Sequence, residues 1–195
     1  MRDCTQFYID GQWVDPVEEN TVAVENPATE QTIGHISFGT AADVDKAVVA
    51  ARRAFESFSQ TSKEERLTLL RAIQAEIETR KEELATAVSD EMGAPLSLAN
   101  GPHVGLLAGH CQKAIEVLEG FAFERLDGPT LHVWEPVGVV GMITPWNWPL
   151  NQIACKVFPA LATGNTMVLK PSEIAPFNAY IFTEIMHAAG VPAGV

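Results

Sequence analysis

Between Pro136 and Val195 the chain carries only four formally charged side chains, Lys156, Lys170, Glu173 and Glu184. So little charge over so long a segment predicts a buried layer, because charged residues are what keep a segment in water. Within it, Val137-Gly-Val-Val-Gly-Met-Ile143 is a β-branched run between prolines, as expected of a strand covered on both faces. Thr166-Met-Val-Leu169 is a second such run. Leu150 to Thr163 has helical length and closes at Gly164-Asn165, so the spacing suits a right-handed β-α-β crossover. A further helix over about Pro176 to Ala189 stops at Gly190, with Pro192 beyond it. The alternation predicts an α/β fold, a Rossmann-like open parallel sheet with flanking helices. It would place its next strand directly after Val195, so the chain reads as truncated.

The remaining charge is one-sided. Of 25 acidic and 13 basic residues, 23 and 11 lie before Pro136, so the net charge of -12 belongs wholly to the first part. A polyanionic partner needs a basic face that this balance withholds, and nucleic acid is not an expected partner. Thr40-Ala-Ala-Asp43 opens a helix whose apolar positions Val44, Ala47, Val48, Ala51, Phe55 and Phe58 follow a period near 3.6. Ser62-Lys-Glu-Glu65 is a capping box for a second, expected to run to about Arg80, and a third is expected from Lys81 to Met92 before Gly93 and Pro95. Leu98 to Leu118 is helical in pattern. Phe7-Tyr-Ile-Asp-Gly-Gln-Trp13 reads as strand, Asp-Gly turn, strand.

Three widely spaced cysteines, Cys4, Cys111 and Cys155, form no CxxC pair and point to free thiols in a reducing compartment, hence a cytoplasmic location. The N-terminal residues lack the apolar core of a secretory signal, and Pro, Gly, Asn, Gln and His interrupt every long uncharged stretch, so no membrane span is expected. His35, His103, His110, His132 and His187 show no metal-ligand spacing and are expected to be structural or solvated; no metal site is expected.

Neither GxGxxG after a strand nor GxxxxGK[ST] occurs. The first buried strand leads instead into Thr144-Pro-Trp-Asn-Trp-Pro149. Two prolines fix φ and two indoles wedge the turn, so the Asn147 amide should be held in one orientation at the C-terminal end of a parallel strand, where open α/β sheets bind ligands. An oriented amide N–H suits a developing oxyanion. From spacing alone, an Asn here is more often a cap of the following helix. The second strand delivers Lys170-Pro-Ser-Glu173, either a cation and a carboxylate flanking one crevice or a surface lysine with Ser172-Glu173 opening a helix. The scarcity of other charges favours the crevice.

The stretches VGVVGMITPWNWP and TMVLKPSEIAP, joined by KVFPALATGN, resemble the aldehyde dehydrogenase superfamily. The resemblance extends to FYIDGQWV, ENPATEQTIG, VDKAVVAARRAF and WEPVGVVG, nearly the whole chain. It implies oxidation of an aldehyde to a carboxylic acid with NAD or NADP through a cysteine thiohemiacetal and a thioester. By that resemblance Asn147 is the side-chain oxyanion donor. Lys170, Ser172 and Glu173 are adenosine-ribose contacts, and Ile143, Thr144, Pro145 and Trp146 line the cofactor cleft. Glu173 favours NAD, since a carboxylate accepts from a 2′-hydroxyl and repels a 2′-phosphate.

Trp148, Asn151, Gln152 and Cys155 then face the substrate tunnel, with Cys155 not the nucleophile. The implied organisation is an incomplete cofactor-binding domain over residues 1–120 and 137–195, with a protruding strand segment over 121–136 that builds a homodimer or homotetramer. The GSTxxG, ELGGK and GQxC segments that carry the rest of the family's site do not occur here. The catalytic domain is therefore expected to be absent and the isolated chain inactive. The alternative is a non-catalytic cofactor-binding or structural relative.

Overall fold

The computed structural model describes residues 2–195. Its strands are β1 (Arg2–Cys4), β2 (Phe7–Ile9), β3 (Gln12–Val14), β4 (Thr21–Asn26), β5 (Gln31–Ser37), β6 (Glu124–Asp127), β7 (Thr130–Val133), β8 (Val139–Ile143) and β9 (Thr166–Lys170). Its helices are α1 (Ala41–Phe58), α2 (Lys63–Met92), α3 (Leu96–Leu98), α4 (Val104–Gly120), α5 (Pro149–Ala162) and α6 (Phe177–Ala188), with a π-helical turn at Ala99–His103.

The capping signals act as written. The Asp43 carboxylate accepts from the Thr40 backbone N–H at 2.8 Å and from its hydroxyl at 2.9 Å, and also from the Val17 N–H at 2.9 Å. Ser62 Oγ accepts from the Glu65 N–H at 3.2 Å while Glu65 Oε2 accepts from the Ser62 N–H at 2.7 Å. The expected break near Arg80 does not exist: α2 is one helix of 30 residues. No Gly or Pro interrupts it, and Glu78–Lys81 and Arg80–Glu83 pairs at i,i+3 span the expected junction. It ends where the residues demand, at Gly93 in the left-handed region, φ 75°.

The helix read over Leu98 to Leu118 is also redrawn. Pro95 starts it one turn earlier, and Pro102, which has no N–H to give, sits inside the π-helical turn that precedes α4. Asp10 and Gly11 both take positive φ, 55° and 78°, giving the tight β2–β3 hairpin its turn. A separate mixed sheet has the order β1-β5-β4, which hydrophobic alternation does not single out.

The crossover is confirmed: β8 and β9 pair in parallel with α5 between them, Val139 opposite Thr166 and Ile143 opposite Lys170. Asn165 fixes its start, its Oδ1 accepting from the Val137 and Gly138 N–H groups at 2.7 and 3.0 Å. On the other edge of β9 the Met167 N–H donates to the Val195 carbonyl at 2.9 Å, so the chain returns to the sheet where the next strand was expected.

The expectation of strands covered on both faces fails within this chain. Only Met142 of β8 is buried, and Ile143 is 77% exposed. The burial predicted for the low-charge segment resides in its helices: Leu150, Ile153, Phe158 and Leu161 of α5 and Ile181 and Ile185 of α6 are closed off against Leu70, Ile73, Ile77 and Leu84 of α2 and Leu107 of α4. The core is thus helix on helix, with the parallel pair on its flank against α1. One buried carboxylate crosses it. Glu91, near the end of α2, accepts from the Phe177 and Asn178 N–H groups and from Asn178 Nδ2, capping α6 from another element.

Candidate active site

Parallel pairing brings the C-terminal ends of β8 and β9 to one edge, and the Thr144 N–H closes that edge by donating to the Lys170 carbonyl at 3.2 Å. Residues 143–148 leave it on one side and 170–173 on the other. Thr144 is buried, while Ile143, Pro145, Trp146 and Asn147 stand exposed, Trp146 by 49%. The edge therefore offers apolar surface and free backbone rather than a closed pocket.

Asn147 does not cap the next helix. The N-cap position of α5 is Trp148, φ -142°, with no side-chain cap bond, and Pro149 follows in the first turn. The structure thus removes the cap reading that spacing alone favours. The amide stands exposed on a turn bracketed by two prolines.

On the β9 side, Lys170 Nζ donates to Glu173 Oε2 at 2.8 Å across Pro171, and both side chains are solvent-exposed. That ammonium holds the Glu173 carboxyl below its usual range. An exposed carboxylate and cation at the mouth of a parallel strand match the hydroxyls of a ribose: the first accepts from them, the second donates to them. Ser172 is buried, its Oγ accepting from the Ile174 N–H at 3.3 Å, so it shapes the loop from within.

Trp148, Asn151, Gln152 and Cys155 form one half-buried stripe on the first two turns of α5, opposite its core face. Gln152 Oε1 accepts from Lys156 Nζ at 3.1 Å, and the same ammonium lies 3.7 Å from Cys155 Sγ. Asn151 Oδ1 meets His110 Nε2 of α4 at 2.9 Å. Trp148 stacks on His103 of the π-helical turn, ring centroids 4.2 Å apart and planes 17° apart. His103 is 0% exposed, neither ring nitrogen has a partner, and burial lowers its pKa.

Two of the histidines expected to be structural or solvated, His103 and His110, thus pack or bond behind the stripe. Their seven-residue separation, which aligns them on one helical face, is the signal by which sequence could have found them. His35 and His187 bond to Asp3 and Tyr8 away from this edge. Among the described residues no group of three His, Cys, Asp or Glu side chains could hold a metal ion. Burial pushes the Cys111 thiol up to about 12 and Cys4 to about 11, so neither is an activated nucleophile.

A family model for the aldehyde dehydrogenase family matches residues 13–195. The chain belongs to that family. It is 54% identical over its whole length to a 3-succinoylsemialdehyde-pyridine dehydrogenase of a Pseudomonas species, of which it covers 41%. Among solved structures, an aldehyde dehydrogenase of Bartonella henselae is 41% identical, with a TM-score of 0.97 over 100% of this chain and 42% of the other. A mutant of aldehyde dehydrogenase C from Pseudomonas syringae, solved with NAD+ and octanal, is 49% identical, with a TM-score of 0.97 over 98% of this chain and 39% of the other. The chain thus spans about two-fifths of its relatives' length, and the fold is the N-terminal part of theirs.

Proposed function

We propose that this chain is the cofactor-binding portion of an enzyme that oxidises an aldehyde to a carboxylic acid with NAD+, NADP+ being the second choice. The observation that carries this reading is the shared edge of β8 and β9, which residues 143–147 leave on one side and the Lys170–Glu173 pair on the other, the two joined by the Thr144–Lys170 bond. Glu173 and Lys170 hold the adenosine ribose hydroxyls, Ser172 shapes their loop, and Ile143, Thr144, Pro145 and Trp146 form the wall along which the dinucleotide lies. The bound cofactor supplies the hydride acceptor. Asn147 donates its amide N–H to the substrate oxygen as negative charge gathers on it, while Trp148, Asn151, Gln152 and Cys155 line the approach of the aldehyde. The NAD+ and octanal bound by the Pseudomonas syringae relative support the cofactor and the substrate class.

Residues 1–120 and 137–195 form the cofactor-binding unit and residues 121–136 an arm for assembly. The arm's support is its surface: β6 and β7 are exposed almost throughout, with Leu126, Leu131 and Val133 in solvent. An apolar ribbon of that kind is suited to pairing with a second copy, giving a homodimer or homotetramer. The three free thiols favour the cytoplasm.

The test is titration of the chain with NAD+, followed by tryptophan fluorescence. The expected result is saturable binding that Lys170→Ala and Glu173→Ala each weaken about tenfold, which is about 1.4 kcal/mol. Binding untouched by either substitution, or none, would overturn the assignment. The chain alone should not reduce NAD+ with any aldehyde, since the ELGGK and GQxC segments that carry the family's general base and nucleophile do not occur in it.

A further inference from the structure

The stripe on α5 has a hydrogen-bonding polarity. The ammonium of Lys156 is donor-only, so the Gln152 atom that faces it at 3.1 Å must be the amide oxygen. At Asn151 the oxygen faces His110 Nε2 at 2.9 Å, a pairing that takes the His110 tautomer with its proton on Nε2, since an amide oxygen can only accept. Both amides therefore have an oxygen committed inside the chain and an NH2 group committed to nothing among the described residues. A wall with its acceptors consumed and its donors free discriminates: it rewards a ligand that brings an oxygen acceptor, and desolvating it under a bare alkyl chain leaves buried N–H groups unpaired.

We infer that His110 and Asn151, with Gln152 beside them, make a specificity site that selects an aldehyde bearing a carbonyl or carboxylate oxygen along its chain over an unsubstituted alkanal. His110 acts through Asn151 as a positioning residue: it holds the amide oxygen back so that the NH2 is presented. The inference rests on the proposed role of the α5 stripe as the aldehyde's approach, and it names the substrate class and a residue of α4 that this role requires.

The experiment uses the full chain labelled with nitrogen-15, the Asn151 and Gln152 side-chain amide signals being assigned by their loss in Asn151→Leu and Gln152→Met. Adipate semialdehyde, a keto-aldehyde of the same length, and hexanal are titrated in turn. The expected result is a saturable shift of both amide signals with the two oxygen-bearing probes, at least tenfold weaker or absent with hexanal. The keto-aldehyde arm separates a neutral oxygen from an anionic one. His110→Phe should abolish the preference at Asn151 and His110→Gln, which keeps a donor, should restore it. Asn151→Asp should reject the carboxylate probe.

A hexanal response equal to the others, no response to either oxygen probe, or a preference unchanged in His110→Phe overturns the inference. NAD+ is added separately while the Trp146 indole signal is followed, so failure of the cofactor reading is seen independently of failure here.

Discussion

Replacing Glu91 tests whether the α2–α6 tie holds the cofactor edge together. The carboxylate is 1% exposed and is the acceptor for the first N–H groups of α6, whose preceding loop carries Ser172 and Glu173 and follows directly on Lys170. In Glu91→Ala the Phe177 and Asn178 N–H groups lose their partner in a buried place. Each such orphan costs ~1–3 kcal/mol, so the expected loss is about 2–6 kcal/mol, reduced by whatever the burial of the carboxyl itself had cost. Asn178 Nδ2 keeps its bond to the Ala175 carbonyl and adds little to the loss.

The pH dependence has a definite sign. Burial pushes the Glu91 carboxyl up from 4.5 to about 7, against the three N–H donors that favour its ionised form. Because the folded value lies above the unfolded one, the contribution is fully present below about pH 4.5 and is lost as pH rises through about 7. At ~1.4 kcal/mol per unit this amounts to roughly 3 kcal/mol. Urea unfolding followed by circular dichroism over that range, comparing the natural chain with Glu91→Gln, reads it directly. The natural chain should lose stability relative to the Gln variant as pH rises. A natural chain that instead gains on the variant would refute the reasoning and show that the three N–H bonds outweigh burial.

Gly164 sits at φ 77°, and a Cβ there would lie 2.5 Å from Arg66 Nη2. Gly164→Ala should cost about 2–4 kcal/mol in urea unfolding, ~1–2 for the left-handed backbone and the rest from displacing a guanidinium bonded to Thr61 Oγ1 and the Ser59 carbonyl; a loss under about 0.5 kcal/mol would mean Arg66 swings away freely. Ser62→Ala should cost ~1 kcal/mol as a true cap, whereas Asn147→Ala should leave stability unchanged and, in the full-length enzyme, lower kcat about 100- to 1000-fold. Equal destabilisation by the two would return Asn147 to the capping role. Glu173→Gln should shift the ratio of NADP+ to NAD+ affinity upward about tenfold by titration, since it removes the charge that repels a 2′-phosphate; an unchanged ratio would place cofactor choice elsewhere.

Much of the fold is legible in the residues alone. Local chemistry is self-contained: the capping boxes at Thr40 and Ser62, the Asp10-Gly11 hairpin and the Gly93 stop depend on residues a few positions apart, and each forms as written. The break expected near Arg80 fails because charge pairs extend a helix whose apolar pattern alone looks interrupted. The β1-β5-β4 sheet is not legible because its strands are short and half-exposed, without clean alternation.

The candidate site divides along the same line. Which residues leave the ends of β8 and β9 is a matter of position along the chain, so Asn147, Lys170 and Glu173 can be named from motifs alone. Whether Asn147 caps a helix is decided by the φ of Trp148, and the partners of Asn151 and Gln152 are decided by how α4 lies on α5 and where Lys156 turns.

The sequence by itself therefore determined most of the elements, the crossover and the chemistry presented at its edge, because these follow from period, punctuation and residue type over short spans. Only the tertiary structure decided which polar atoms are spent and which are free. That depends on side chains far apart in the chain meeting at hydrogen-bond distance, as Glu91 meets Asn178 and His110 meets Asn151.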